Sequence, residues 1–397
     1  MTGDLRALFL RHVCQTSDGP MGLVVRDARG SIVRDADGRE YLDLLAGMGV
    51  ANVGHAHPEV VAAVRAQAER HLHVMVYGEF VQETQVRLAA RLAGLLPPSL
   101  STVYFTSSGA EAVDGALKTA RKATGRPRFV AFAGGFHGDT WGALSVGGNP
   151  IYRRPFEPLL PEVALLPFDD LDALAAIDDR TAAVIVEPVQ AEGGVRIPRP
   201  EFLPALRRRC DDVGALLVFD EVVTGFGRTG RLFAHEHHAV VPDVLVLAKA
   251  LGGGLPVGAF VGAPALMATL RHDPPLAHVT TFGGHPLSCA GGLAALEVLL
   301  RDRLVERAET LGAEMRRRLD QLAGHGGLIG VRGVGLLIGL EFAEAESCAR
   351  FVRRAWEQGL ILNWTLHRDT VVRLAPPLVL TDDEAAQAVA RIATALG

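Results

Sequence analysis

Lysine is almost missing from this sequence: among 40 lysines and arginines, only Lys118, Lys122 and Lys249 are lysines. A guanidinium stays protonated and cannot condense with an aldehyde, so covalent amine chemistry by a side chain is confined to those three positions. Cysteine is scarce as well. Cys14, Cys210, Cys289 and Cys348 are scattered with no Cys-x-x-Cys spacing, which argues against a disulfide or zinc framework and for free thiols in a reducing compartment. No apolar run approaches the roughly 20 residues that cross a bilayer. Residues 1 to 6 carry an early acid and no apolar core, so no secretory leader is expected and the expected location is cytoplasmic. A net charge of −5 leaves no electrostatic case for nucleic acid or an anionic membrane. His235, Glu236, His237 and His238 lack the helical His-Glu-x-x-His spacing, so no metal site is expected.

What is present is the balance of a soluble globular enzyme, with 49% apolar and 21% charged residues. The 397 residues exceed the usual single-domain size, so one large and one smaller domain are expected. Two short runs, residues 31–35 and 39–43, flank an Asp-Gly turn and predict a hairpin. Apolar runs at 103–105, 129–132, 163–166, 183–186 and 216–219 predict strands, with helices over 111–122, 171–177 and 201–210 between several of them. That alternation predicts an α/β fold with a mostly parallel sheet covered on both faces. After Pro286, helices to about 300, over 304–322, 347–358 and 382–396, with strands over 334–342 and 371–374, predict a smaller α+β domain. The expected division is an N-terminal arm and hairpin over 1–50, a large domain over 51–290 and a small one over 291–397. In such sheets ligands sit beyond the carboxyl ends of the strands, where Glu187, Asp220 and Lys249 fall.

Lys249 ends the buried-type run Val244–Leu247 at the lip of a glycine-rich turn. It either points to water or sits as a nucleophilic amine in an apolar setting. Asp220 and Glu221 end another such run. A buried carboxylate needs a cation or strong donor, and a protonated pyridine nitrogen is one. An amine for an aldehyde and an acid for a ring nitrogen, both at strand ends, meet the requirements of pyridoxal phosphate. The small residues Ser107, Ser108, Gly109 and Ala110 precede a helix, either as an anion cradle or as an ordinary cap. Phe136 and His137 put rings on a glycine-flanked loop, to stack on a flat cofactor or to fill a core gap. Thr280 and Thr281 offer hydroxyls before the helix that begins at Pro286. No strand-GxGxxG-helix context points to a nicotinamide site, and Ser107 and Ser108 have no nearby His-acid pair to suggest a hydrolase.

Together these stretches resemble the class III (subgroup II) aminotransferases of pyridoxal-phosphate fold type I. The likeness runs from Gly54-His55-Ala56-His57-Pro58 to Arg373-Leu374-Ala375-Pro376-Pro377-Leu378. Its most specific parts are the run from Asp220 to Gly230 and the run from Ala248 to Pro256. The resemblance implies that Lys249 is the Schiff-base lysine and that Asp220 faces the pyridine nitrogen. It implies Val222 and Phe136 on the two ring faces, with His137, Glu187 and Val223 close by. Ser108, Gly109 and Ala110 would hold the phosphate. Thr281 would reach the neighbouring subunit's cofactor, which implies a homodimer. On the substrate side the resemblance implies Arg373 for a carboxylate and Glu192 as an acid able to pair with Arg373, and Thr280 and Asp139 are assigned there too.

Three positions depart from the family pattern. Val223 stands where glutamine is common, and His285 where asparagine is common. Asp139 stands where members acting on acetylornithine or 4-aminobutyrate carry arginine, which argues against those two activities and hints at an amine or neutral group at that end. The expected function is transfer of an amino group from an amino acid or amine to a 2-oxo acid such as 2-oxoglutarate or pyruvate. A racemase, aminomutase or decarboxylase of the same fold is the alternative, and a non-catalytic dimeric binding protein the alternative from another class.

Overall fold

The computed structural model describes residues 2–76 and 78–397. A helix over Thr2–His12 is followed by three antiparallel strands, β1 (Val25–Arg29), β2 (Ile32–Asp35) and β3 (Glu40–Asp43). The expected hairpin is the β2–β3 pair. Its turn is closed by the Asp35 carboxylate, which accepts from the backbone N–H groups of Asp37 at 3.0 Å and Arg39 at 2.9 Å.

Seven strands then build the central sheet: β4 (Thr102–Thr106), β5 (Arg128–Phe132), β6 (Val163–Leu166), β7 (Thr181–Val186), β8 (Leu216–Asp220), β9 (Val244–Leu247) and β10 (Gly258–Gly262). Their spatial order is β4-β10-β9-β8-β7-β5-β6. The five from β9 to β6 pair in parallel, and β10 runs antiparallel to both of its neighbours. Period-two alternation divides the core between the two faces. Val184, Val186, Leu217, Phe219, Leu245 and Leu247 pack in one apolar cluster, and Ala183, Ile185, Val218, Val244 and Val246 in another. β7 and β9 are buried at every position, which is why they read as unbroken apolar runs.

β10 was not among the expected strands. It is bracketed by glycines, and the reason is steric: a Cβ at Gly258 would lie 2.1 Å from the Ser108 carbonyl oxygen. The stretch expected as a helix over 171–177 is a short 3₁₀ turn, Asp172–Ala176.

The remaining strands are β11 (Leu328–Val334), β12 (Leu337–Phe342), β13 (Leu360–Ile361), β14 (Asn363–Thr365) and β15 (Arg368–Leu374). Four of them form an antiparallel sheet in the order β11-β12-β15-β14, while β13 leaves it and pairs in parallel with β3. The single strand expected over 334–342 is thus the second arm of a hairpin whose first arm was hidden by Gly330 and Gly333. Helices Leu304–Asp320, Ala345–Glu357 and Asp382–Leu396 cover this part. The last begins in a reciprocal cap, Thr381 Oγ1 accepting from Glu384 N at 3.2 Å and Glu384 accepting from Thr381 N at 2.8 Å. No described helix is long and apolar enough to cross a membrane.

Candidate active site

β8 and β9 lie side by side in parallel, so their carboxyl ends deliver Asp220 and Lys249 to the same rim. Lys249 has φ +50°, a left-handed conformation rare for a long side chain. The turn that follows continues through Gly253 at φ +61°. A second loop closes over the lysine. Ala46, Gly47, Met48 and Gly49 all have positive φ, and a Cβ at Gly49 would lie 3.9 Å from Lys249 Cδ. Asp43 supports this unusual backbone, accepting from the N–H groups of Leu45 at 2.8 Å, Ala46 at 3.0 Å and Gly47 at 3.2 Å. His55 donates to the same carboxylate at 2.7 Å.

Between these loops is a cavity of about 420 Å³. Ser108, Gly109, Ala110, Phe136, His137, Glu187, Glu192, Asp220, Val222, Val223 and Lys249 all line it. Val50, Ser107, Gly138, Ala248 and the run Gly254–Val257 complete its wall. Gly254, Leu255 and Pro256 fall in the run from Ala248 to Pro256 that carries the family resemblance, whereas Val50, Gly138 and Val257 had no signal beyond the glycine-rich character of the loops around them.

The buried end of the cavity is a linked acid cluster. His137 Nδ1–H donates to Asp220 at 2.7 Å, and the other Asp220 oxygen accepts from Val222 N at 3.0 Å. Glu187 accepts from the N–H of Phe136 at 2.9 Å and of Ala191 at 3.1 Å. Burial pushes the Glu187 carboxyl up to about 7; His137 pulls it down, the nearby Asp220 charge pushes it further up, and the two backbone donors lower it. Burial opposes a charge on His137, but its hydrogen bond to Asp220 and the charges of Asp220 and Glu187 raise its pKa above the ordinary value. Lys249 is lowered by burial first and by the Arg373 guanidinium second, against the pull of Glu192, Asp220 and Glu187. A depressed amine is what a nucleophilic lysine requires.

At the other end Arg373, on β15, donates to Glu192. Both are buried. Glu192 also accepts from Leu366 N at 2.8 Å. Burial works against its charge, yet Arg373 and that N–H hold its carboxyl below the usual range. Among the described residues, the second Arg373 Nη meets only the Met48 sulfur, at 3.6 Å, which is a weak acceptor. Behind it stands Arg228, fully buried, which donates to the carbonyls of Leu336 and Pro376 and to Asn52. Burial pushes Arg228 down to about 9, with Arg373 adding to the fall. It lies in the run from Asp220 to Gly230 that carries the family resemblance, but no site role was assigned to it, because arginine reads as a surface residue.

The cavity fits pyridoxal phosphate. Ser108 caps the helix Gly109–Thr124 by accepting from Glu111 N at 3.2 Å, which leaves the first N–H groups of that helix open to an anion. Gly109 is needed there. A Cβ would meet Val222 and Ala248 at 3.2 Å and narrow the slot between Val222 and Phe136. Four expected residues do not line the cavity: Arg373, which meets it through Glu192, Asp139, Thr280, and Thr281, which was expected to serve a neighbouring subunit. Asp139 and Thr281 are exposed. Thr280 lines a separate hollow with Gln85, Tyr104 and Gly283. The argument from Asp139 against acetylornithine and 4-aminobutyrate therefore has no geometric footing in this chain. His285 precedes the helix Pro286–Arg301 and stacks on His73, with centroids 5.5 Å apart.

Comparison with known proteins finds relatives over nearly the whole chain. The acetylornithine aminotransferase of Methanopyrus kandleri is 45% identical over 395 residues, 99% of each chain. The putrescine aminotransferase of Pectobacterium atrosepticum is 43% identical over 387 residues, covering 94% of this chain and 82% of its own. The ornithine aminotransferase of Toxoplasma gondii, solved with pyridoxal phosphate at partial occupancy in its active site, superposes with a TM-score of 0.92 at 34% identity. That match covers 100% of this chain and 94% of the other. The profile of aminotransferase class III matches residues 13–396, and the chain belongs to that family of pyridoxal-phosphate-dependent transaminases.

Proposed function

We propose that this aminotransferase takes its amino group from a donor with a terminal amine and passes it to a 2-oxo acid, with Lys249 as the reacting amine. One observation carries the assignment of roles: Lys249 and Asp220 line the same buried cavity, with the lysine depressed toward its neutral form. Bound pyridoxal phosphate supplies an aldehyde and a ring able to take up the electron pair left when a substrate C–H bond breaks. Lys249 Nζ would hold the cofactor's aldehyde carbon and, once displaced by the incoming amine, would carry the proton from the substrate carbon to the cofactor carbon on the far side of the shared nitrogen. Asp220, oriented by His137 and Val222 N, keeps a proton on the ring nitrogen. Val222 and Phe136 confine the ring, and Gly109, Ala110 and Ser108 hold the phosphate. Arg373 receives a substrate carboxylate when Glu192 moves aside, and Glu192 covers it when the substrate has none.

The relatives named for acetylornithine and putrescine support a terminal-amine donor, since both molecules end in a primary amine on a carbon chain. The exposed position of Thr281, beside exposed Val279 and Phe282, supports a homodimer in which it serves the partner's cofactor. The division at residues 50 and 290 stands as our reading of the domains; the β13–β3 pairing supports joining the N-terminal hairpin to the C-terminal part. The scattered thiols support a cytoplasmic location. Lys249→Ala tests the central role. It should lose turnover by at least about 10³-fold and fail to fix the cofactor on borohydride reduction. Wild-type turnover in that variant would end the assignment. A panel of N-acetylornithine, ornithine and putrescine against 2-oxoglutarate and pyruvate identifies the substrates.

A further inference from the structure

The Glu192 carboxylate is shared between two elements. One oxygen meets Arg373 and the other meets the N–H of Leu366. Leu366 and His367 form the tip between β14 and β15, a tight turn closed by Thr365 Oγ1–H donating to the Arg368 carbonyl at 2.8 Å. The tip is braced on three sides. Tyr152 O–H donates to the Leu366 carbonyl at 2.9 Å. His367 N–H donates to the Glu192 carbonyl at 3.1 Å. The His367 ring donates from Nδ1 to the Gly134 carbonyl at 3.1 Å, stacks on Tyr152 at 5.3 Å, and sets its plane at 75° to Phe136. Burial lowers the His367 pKa, against its hydrogen bond to the Gly134 carbonyl.

We propose that the Leu366–His367 tip, braced by Tyr152, is a positioning element that sets how readily Glu192 releases Arg373, and with it the preference for carboxylate-bearing over carboxylate-free substrates. The inference rests on the reading of Arg373 as the carboxylate receptor. The Leu366 N–H stabilises one of two arrangements. With Glu192 on Arg373, the carboxylate is buried and needs a protein donor for its second oxygen, which Leu366 supplies. With Glu192 swung away, the carboxylate turns into the cavity and finds water. A firm tip therefore favours the covered arginine, and a loosened tip shifts the population toward the free one. Tyr152 and Leu366 touch no reacting atom, so their control acts through Glu192.

The test is the binding of glutarate, a dicarboxylate that cannot react, to the holoenzyme by calorimetry. Tyr152→Phe removes only the O–H that anchors the tip. It should tighten glutarate about threefold to tenfold, the range for one hydrogen bond, and lower KM for 2-oxoglutarate by a similar factor while kcat changes less. His367→Ala should tighten it in the same direction. A gain in affinity is a result that general damage to the fold does not produce. Unchanged or weaker glutarate binding in Tyr152→Phe overturns the proposal. Arg373→Ala separates the two layers of the argument. If it binds glutarate as well as wild type, the carboxylate-receptor reading falls and this inference with it. If it loses glutarate while Tyr152→Phe leaves affinity unmoved, only the tip's role is lost.

Discussion

Asp220 and Glu221 are neighbours at the end of β8, both buried and both bonded to a histidine, yet they belong to opposite faces of the sheet. Alternation puts Asp220 on the side of Val218 and Glu221 on the side of Phe219. Glu221 accepts from the Thr224 hydroxyl, from the N–H groups of Ala234 and His235, and from the His235 ring. Its carboxylate is saturated by protein donors. Asp220 accepts from Val222 N and His137 alone and lines the cavity. The difference teaches that burial and a histidine partner do not mark a functional acid. A buried charge whose donors all come from the chain is structural, and one that faces a cavity with donors to spare is open to a cofactor cation.

Exchanging each carboxylate for its amide breaks or sharpens this comparison most directly. Asp220→Asn should lower kcat/KM about 10³-fold, in the range for a lost group that governs proton inventory in the transition state, with little change in Tm. Glu221→Gln should cost about 3 to 5 kcal/mol of stability, because an amide nitrogen would face N–H donors and leave them unpaired. Turnover per folded site should stay near wild type. Denaturant unfolding and active-site titration separate the two quantities. A stability loss confined to Asp220→Asn, with an activity loss confined to Glu221→Gln, would invert the assignment.

Glu187 extends the comparison to pH. Its carboxyl lies at about 7 in the folded protein against an ordinary value of 4.5. The folded state therefore holds a proton that the unfolded chain has already lost between those values. Stability falls as pH rises through that window and levels off above it, by at most about 3 kcal/mol. Relative to wild type, Glu187→Gln apoprotein should gain stability progressively from pH 4.5 to 7 and hold the gain above. A flat difference across that range would show that the cavity end does not retain its proton.

Much of this arrangement was legible because buried parallel strands are unbroken apolar runs, and a polar residue at the end of such a run stands out. Lys249 and Asp220 were visible for that reason. Which of Asp220 and Glu221 faces the cavity was not decided by the residues themselves, since the strand end is set only by pairing with β9; the motif resemblance pointed to Asp220. β10 was hidden because Gly258 is there for the closeness of Ser108, not for strand propensity. The loop over Lys249 has no periodicity to read, its shape being imposed by Asp43 from outside. The reading of Asp139 rested on its family position alone; its side chain is exposed and does not line the cavity of its own chain.

Space separates the two faces of β8 as charge does, and two glycines measure it. Gly109 meets Val222 and Ala248 across the cavity side, at 3.2 Å from a Cβ. Gly225 sits on the other side, where a Cβ would approach the Glu221 carbonyl at 3.0 Å and Leu247 at 3.5 Å. Gly109→Ala pushes Val222 into the slot for the ring, so the Kd for pyridoxal phosphate should rise about threefold to tenfold, a shift of about 1 kcal/mol. Its unfolding free energy should barely move, because the cavity gives the displaced methyl groups room. Gly225→Ala has no cavity to relax into and presses on packed backbone, so about 1 kcal/mol should come off stability with cofactor affinity kept. Apoprotein titrated with pyridoxal phosphate and unfolded in parallel reads both. Equal effects of the two substitutions on cofactor affinity would mean that the strand end transmits strain from one face to the other, and that the two carboxylates are not independent.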